Sequence, residues 1–271
     1  MRGRWFRGLS WGFAAIAAPT VLALWIPIVV MAVSSFNATR LGPAWGGLTL
    51  GWYRALGAQA ADHLRGVRAM PLLDAASTSL VVALAVTVLA VGLGAPGAWV
   101  LRRPRRRFAA TLHAALGVPL VLPDLLLGVS LLVTFRALGL ELGLSTVVLG
   151  HLSFCLPFVL ATVGAQIELL DPSLEAAALD LGATPARAFF TVILPALSPA
   201  VAGAALLTFA LSLDELVVTY FTRGPGTATL PVVMYGMARV GVSPLLHAAS
   251  TVLLGVTAVM VVGADRLATR Q

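Results

Sequence analysis

Three acidic residues lie well away from the ends of apolar stretches of this 271-residue chain. Asp124 lies within LVLPDLLLGVSLL, and Asp214 and Glu215 are adjacent within LSLDELVVTYF. A charge at the centre of a bilayer costs at least about 2.5 kcal/mol even on the most lenient insertion scale, so such acids usually have a partner or a function. Each could be paired with an arginine or a hydroxyl, could be hydrated near the interface, or could attract a passing cation. We favour a cation pathway, because neither stretch contains an arginine.

Both acidic stretches belong to apolar runs, 108–135 and 196–222, that we expect to cross a membrane in the same direction. The acids are about 16 to 19 residues from the starts of their runs, which is roughly 24 to 28 Å at a rise of 1.5 Å per residue. On continuous helices the acids would share a depth, and Asp214 and Glu215 would point about 100° apart. Tyr220 follows close enough in sequence to add a cation–π contact to this pathway.

The other reactive side chains show no spacing typical of a catalytic or metal site. Cys155 is the only cysteine, which excludes an internal disulfide and a cysteine-based metal site. The four histidines are scattered, although His151 would reach a level similar to that of the acids. The chain has no nucleophile–base pattern and no Gly-x-x-x-x-Gly-Lys-Ser/Thr loop for nucleotide phosphates. We therefore expect no enzyme activity and no cofactor or metal in this chain.

A second informative segment is the run DPSLEAAALDLGATPARAFFTVILP at 171–195. Asp171 can cap a helix that starts with proline, Gly182 suits the left-handed position that ends it, and Thr184 with the next proline repeats the same start. The run therefore predicts a helix-turn-helix outside the bilayer. Its first helix has small alanines, which allow close approach by a partner, flanked by polar Glu175 and Asp180.

This run resembles the cytoplasmic signature of the membrane permeases of ATP-binding-cassette (ABC) importers, which reads Glu-Ala-Ala, three residues, Gly, nine residues, Ile-x-Leu-Pro. The positions that fall in register are Ala177, Ala178, Gly182, Leu194 and Pro195. Two positions depart: Ala176 takes the place of the glutamate, with Glu175 one residue earlier, and Val192 takes the place of the isoleucine. The resemblance implies that 171–195 is the coupling loop that sits in a groove of an ATPase subunit, with Glu175 and Asp180 among its contacts.

Composition independently indicates a membrane protein. The chain is 59% hydrophobic and only 11% charged, with a mean hydropathy of +0.96, whereas soluble domains are about 25% charged. We expect an all-α polytopic protein of one domain, 1–271, because six apolar runs are long enough to span about 30 Å of hydrocarbon. These runs are 11–34, 75–101, 108–135, 144–170, 196–222 and 246–264.

Arginines predict the orientation of these spans. The chain has no lysine, and its densest basic cluster, RRPRRR at 102–107, sits in a very short loop, where positive charge favours the cytoplasmic side. Both termini and the 171–195 loop would then be cytoplasmic, and the longest loop, 35–74, extracytoplasmic. The first apolar run is too long for a cleaved signal and is expected to remain as an anchor. A net charge of +7 requires no nucleic acid; an RNA or anionic-lipid patch at 102–107 is the alternative to the topology role, which is the simpler explanation.

Several further segments resemble the second permease of spermidine/putrescine importers. They are SFNATR at 35–40, WGGLTLGWY at 45–53, LPDLLLGVSLL, HLSFC, LSLDELVVTYFTRGPGTATLP at 211–231 and MARVGVSP at 237–244. In that family an acidic pair follows Leu-Ser-(Leu/Met), and here its second member is Glu215 instead of aspartate. Permeases for thiamine, ferric iron and phosphonates share the coupling loop and remain alternatives for the substrate.

The resemblance implies a type I ABC importer permease that works by alternating access in a bacterial inner membrane. Its partners would be two ATPase subunits that bind ATP and Mg²⁺, a homologous permease and an extracytoplasmic binding protein. An ion-coupled secondary transporter is the main alternative from another class. Such transporters usually show internal repeats with broken helices, and the coupling loop would be unexplained in one.

Overall fold

The computed structural model describes residues 2–39, 44–64, 71–102, 117–241 and 243–269, and this part of the chain is helical with no named strand. The helices are α1 (Arg2–Ser34), α2 (Gly51–Leu64), α3 (Pro71–Leu101), α4 (Asp124–Ala137), α5 (Leu144–Leu169), α6 (Ser173–Asp180), α7 (Pro185–Ala188), α8 (Leu194–Ala196), α9 (Ser198–Asp214), α10 (Val217–Thr222), α11 (Leu230–Val240) and α12 (Pro244–Thr269). A π-helical turn, Phe189–Ile193, joins α7 to α8. The all-α prediction is confirmed.

Among the described residues, two helices are long and apolar enough to cross a membrane alone, within Leu72–Leu101 and Leu144–Leu169. A third span is possible if Pro185–Ala196 and Ser198–Asp214, which are bent by 77°, count as one crossing. Shorter apolar helices occur at Pro19–Ser34, Leu230–Val240 and Pro244–Val259. The structure therefore supports a membrane protein, and the count of six spans stays a prediction.

Two of the expected spans are broken where the acids lie, so the expectation of continuous helices is wrong. The run 108–135 is interrupted at Pro123, and α4 begins at Asp124, while residues 103–116 lie outside the described part. The run 196–222 is interrupted after Asp214, and Glu215 has an extended backbone with φ −70° and ψ 117°. Proline cannot continue the hydrogen-bond ladder of a helix, which explains the first break.

The chain divides into two compact units, of which the larger comprises residues 70–235 and 257–271. Its core is built by α3, α5 and α9, which pack against one another, while α10 packs on α4 and α5. Small and β-branched side chains fill this core; Val82, Val86, Val147, Val159 and Val163 are completely buried. Because these helices also expose large apolar residues on their other faces, their outer surface suits lipid or a partner helix.

The smaller unit comprises residues 1–69 and 236–256. Within it, the turn after α1 is organised by Asn37, which is only 7% exposed. The Asn37 amide donates to the Ala44 carbonyl at 2.9 Å and its carbonyl oxygen accepts from the Gly46 N–H at 2.9 Å. The Trp52 indole donates to the Asn37 backbone carbonyl at 2.8 Å. The predicted loop 35–74 thus contains an ordered turn and helix α2, and α3 begins earlier than expected, at Pro71.

Candidate functional site

The 171–195 segment forms the predicted helix–turn–helix. The Ser173 N–H donates to Asp171 Oδ1 at 2.8 Å, and the hydrogen bonds from the backbone and then the side chain of Ser173 hold the pKa of Asp171 below its ordinary value. At the far end of α6, Gly182 has φ +84°. Its N–H donates to Leu179 O at 2.9 Å and the Ala183 N–H donates to Ala178 O at 3.0 Å, which is the Schellman pattern.

The second half of the loop also starts as predicted. Thr184 Oγ1 accepts a hydrogen bond from the Arg187 N–H at 3.3 Å, and Pro185 occupies the first turn of α7. The chain then passes through the π-helical turn and bends at Leu197, which is completely buried. The loop therefore ends in a buried elbow that leads directly into α9.

Glu175 makes an intramolecular ion pair at the end of α3. Its carboxylate Oε2 lies 2.8 Å from Arg102 Nη2 and accepts a 3.3 Å hydrogen bond from the Trp99 indole. The Glu175 side chain is 14% exposed and that of Arg102 is 31% exposed. From the sequence, Arg102 is interpreted only as part of the basic cluster that sets topology. Its ion pair with Glu175 is therefore not predicted. Glu175 is thus attached to α3 within this chain, whereas Asp180 is exposed.

An aromatic contact strengthens the same junction. The rings of Trp99 and Phe189 have centroids 5.1 Å apart and are tilted by 36°. Both belong to the hydrophobic core of the larger unit, together with Ile193 and Leu197. The loop and the end of α3 therefore share one packed core and one ion pair, so α6 and α3 are expected to move together.

The outer surface of the loop is apolar. Leu181 is 89% exposed at the turn, and Leu174 and Leu179 are each 39% exposed. Of the signature residues, Ala177, Gly182 and Pro195 are exposed, Leu194 is half-buried and Ala178 is 8% exposed against the chain itself. Exposed leucines on a short polar-flanked loop are typical of a protein-binding surface. Leu181 was not predicted as part of this surface, although its position directly before the signature glycine, Gly182, could have indicated it.

The three acids come together at the two helix breaks. Asp124 begins α4 at one break, Asp214 and Glu215 lie at the other, and the charges of Asp124 and Asp214 both act on Glu215. Asp124 and Asp214 are exposed on the surface of the chain, and Glu215 is half-buried. Glu215 Oε1 accepts a 2.8 Å hydrogen bond from the Val218 N–H at the start of α10. Irregular backbone at membrane depth occurs only where it is covered by protein or lines a water-filled cavity.

Tyr220 is 50% exposed on the short helix that follows the cluster. The Arg223 guanidinium lies 5.7 Å from the centre of its ring, and the Phe221 ring packs against it edge-on at 5.7 Å. One face of Tyr220 is thus already used by a cation of the chain. Both Tyr220 and Arg223 line an open cavity of about 620 Å³ together with Arg136, Glu141, Leu142, Gly224 and Pro225.

Residues 87–269 match the model of the binding-protein-dependent transport system inner membrane component family, which is more than half of the chain. The chain belongs to this family of membrane permeases. It is similar to the spermidine/putrescine transport system permease protein PotC of Escherichia coli K12, with 38% identity over 90% of this chain and 89% of that protein. It is also similar to the putrescine transport system permease protein PotI of the same organism, with 36% identity over 88% of this chain and 83% of that protein.

A solved structure shows the same fold. A chain of a bacterial alginate ABC transporter, crystallised in complex with an alginate pentasaccharide-bound periplasmic protein, has a TM-score of 0.67 and 14% identity, with 100% of this chain and 98% of that chain covered. At this identity the likeness concerns the fold alone. The sequence-based assignment to the ABC importer permease fold is confirmed.

Proposed function

We propose that this chain is the permease subunit of an ATP-driven importer of polyamines such as spermidine and putrescine, and that it forms half of the translocation pathway. The observation that carries the proposal is the cluster of Asp124, Asp214 and Glu215 at two helix breaks. Three carboxylates that repel one another form an unfavourable arrangement, which a substrate with several ammonium groups would relieve. The similarity to two permeases named for spermidine and putrescine supports the same substrate class.

The negative charge of the acid cluster distinguishes among the alternative substrates. A phosphonate is an anion and would be repelled by the cluster, so a phosphonate permease is disfavoured. Thiamine and ferric iron are cations, but the similarity extends along 90% of the chain to a spermidine/putrescine permease. Polyamines alternate ammonium groups with methylene chains, which suits carboxylates that are followed in the sequence by apolar Leu216 and by the half-exposed ring of Tyr220.

The energy for transport would come from partners. The chain would pair with a homologous permease and two cytoplasmic ATPase subunits that bind ATP and Mg²⁺, and it would receive substrate from an extracytoplasmic binding protein. The exposed leucines of the loop support docking of an ATPase. The residues proposed to couple the loop to the ATPase are Glu175, Ala177, Ala178, Asp180, Gly182, Leu194 and Pro195. Of these, Ala177, Asp180, Gly182 and Pro195 are exposed and could contact it directly. The assembly would lie in a bacterial inner membrane with both termini of the chain cytoplasmic and no nucleic-acid partner.

Coupling would pass through the junction of the loop with α3. When the ATPases close, α6 would be displaced together with α3, because Glu175 is bound to Arg102 and Phe189 is packed on Trp99. The elbow at Leu197 would carry the same displacement into α9, whose far end bears Asp214. Movement of the loop would thus reach the acid cluster, and the pathway would open alternately to the two sides.

The test is uptake into proteoliposomes that contain the complete complex. Labelled putrescine and spermidine are offered through the binding protein with ATP on the cytoplasmic side, and unlabelled thiamine, ferric iron and a phosphonate serve as competitors. We expect ATP-dependent polyamine uptake that none of the three competitors reduces. Uptake that needs no ATP and is driven by an ion gradient would favour a secondary transporter. Strong competition by thiamine or iron would mean that this competitor, and not a polyamine, is the substrate.

A further inference from the structure

His151 connects both sides of the break that carries Glu215. It lies in the first half of α5 and is completely buried. Its Nδ1 is 2.8 Å from Ser212 Oγ, near the end of α9, and its Nε2 is 2.7 Å from Thr219 Oγ1, in α10. One imidazole thus reaches across residues 213–218 and holds the two helix segments at a fixed separation.

The hydroxyl groups determine the direction of these hydrogen bonds. The Thr219 hydroxyl also lies 3.1 Å from the backbone carbonyl of Glu215, which can only accept, so we assign the hydroxyl proton to that bond and His151 Nε2–H as the donor to Thr219 Oγ1. Nδ1 of the neutral ring is then an acceptor, and Ser212 donates to it. The result is a directed chain of hydrogen bonds from Ser212 through His151 and Thr219 to the backbone carbonyl of Glu215.

The surroundings of α10 support a rigid attachment. Thr146, five residues before His151 in α5, has its Oγ1 2.8 Å from the Thr222 carbonyl at the end of α10. A Cβ on Gly150, the neighbour of His151, would lie only 3.0 Å from Val218 Cγ1, so the two helices approach each other closely here. The six-residue helix α10 is therefore fixed to α5 at its middle and at its end, and the Val218 N–H that binds the Glu215 carboxylate is fixed with it.

We propose that His151 is a positioning residue that bridges the broken span and sets the location of the Glu215 carboxylate in the pathway. This inference rests on the proposed function, because it assigns His151 a role in transport through Glu215. The histidine itself is completely buried, so its role would be indirect. Its effect on transport should therefore disappear when the charge of Glu215 is removed.

Two threonines of the same span offer a matched comparison. Thr219 and Thr208 are both completely buried, but the hydroxyl of Thr208 has no hydrogen-bond partner among the described residues. Thr219→Val and Thr208→Val make the same chemical change, and only the first breaks the chain from His151 to Glu215. We expect Thr219→Val to lower the maximal rate of ATP-driven [¹⁴C]putrescine uptake about tenfold, and Thr208→Val less than twofold. KM should stay unchanged, since capture depends on the binding protein.

The decisive readout repeats both variants in a Glu215→Gln background, in proteoliposomes holding the whole complex. If Thr219 acts through the carboxylate, Thr219→Val should now lower the rate less than twofold. An equal loss of rate in both backgrounds would mean that Thr219 only supports the fold. Equal rates for the two valine variants would mean that the hydrogen bonds of His151 do not matter for transport. Either result overturns the inference. Should Thr219→Val fail to assemble, Ser212→Ala interrupts the same chain from α9 and is read in the same way.

Failure of the proposed function would give a different result. A wild-type complex that takes up no putrescine would refute the polyamine assignment. A Glu215→Gln complex with the wild-type rate would refute a role for the charge of Glu215 in transport. His151 would then have no charge to position. A wild-type complex that transports, a slow Glu215→Gln complex and no difference between the two valine variants would refute the role of His151 alone.

Discussion

At the level of single residues, the break after Asp214 changes how the adjacent acids are understood. The sequence showed that Asp214 and Glu215 lie in an apolar stretch, but a continuous helix would have separated them by about 100°. Instead Asp214 ends α9 and Glu215 is extended, with its carboxylate on the Val218 N–H. No local pattern predicts this break, since Leu216 and the residues after it favour a helix or strand equally well. The break depends on contacts from α5, which are distant in sequence.

The two neighbouring acids should differ in a measurable way. In Glu215→Gln the side-chain oxygen can still accept from the Val218 N–H, so the fold is preserved while the charge is lost. We expect this variant to assemble normally and to reduce the maximal rate of polyamine uptake more than Asp214→Asn, because Asp214 is exposed and better hydrated. Initial rates at saturating substrate measure the difference. Equal rates would show that the half-buried position of Glu215 has no special role.

Gly182 gives a second prediction at this scale. Its φ of +84° disfavours side chains with a Cβ, although a Cβ would meet no atom within 4 Å. The cost of substitution is therefore conformational and amounts to about 1–2 kcal/mol. Gly182→Val should lower substrate-stimulated ATP hydrolysis more than Gly182→Ala does, whereas Gly182→Asn, which tolerates this conformation, should be close to wild type. Wild-type uptake by the Gly182→Val complex would exclude a hinge role.

At the level of the elements, the coupling loop was the most predictable part of the structure. Its caps at Asp171 and Thr184 and its glycine turn follow local rules and were found as predicted. The partner of Glu175 was not predictable, because Arg102 is 73 residues away in the sequence and its approach depends on how α3 packs. The same holds for the ring contact between Trp99 and Phe189.

A charge exchange tests the junction between α6 and α3. Glu175→Arg places two cations together at Arg102, and we expect it to lower coupling between ATP hydrolysis and uptake about threefold to tenfold. Combining it with Arg102→Glu restores an ion pair of opposite polarity and should recover most of the coupling. Asp180→Arg, at an exposed position of the same helix, should gain nothing from Arg102→Glu. Failure of the exchange to recover coupling would mean that Glu175 acts on the ATPase directly.

The apolar surface of the loop gives a separate prediction. Leu181→Ser removes an 89% exposed leucine, so the permease itself should keep its thermal stability while co-purification of the ATPase decreases. Leu138→Ser is the control, since Leu138 is 67% exposed in the turn after α4. Equal retention of the ATPase by both variants would show that Leu181 is outside the docking surface.

At the level of the whole molecule, composition alone was enough to identify a helical membrane protein. The number of crossings was harder to predict, because hydropathy cannot separate a straight span from one that bends by 77° at Leu197 or breaks at Pro123.

Arginine placement predicts cytoplasmic termini, and labelling of single cysteines in a Cys155→Ala chain measures this orientation. We expect cysteines introduced at 103 and 181 to react from the cytoplasmic side and one at 138 from the outside.

The central claim is that substrate passes the acid cluster on its way through this chain. The most direct measurement compares wild type with the Asp124→Asn, Asp214→Asn, Glu215→Gln triple variant in proteoliposomes that contain the whole complex. Uptake of labelled putrescine and hydrolysis of ATP are followed in the same sample. The account predicts that the triple variant assembles, that the loaded binding protein still stimulates its ATP hydrolysis, and that its uptake falls at least tenfold. Uptake at the wild-type rate would contradict the claim.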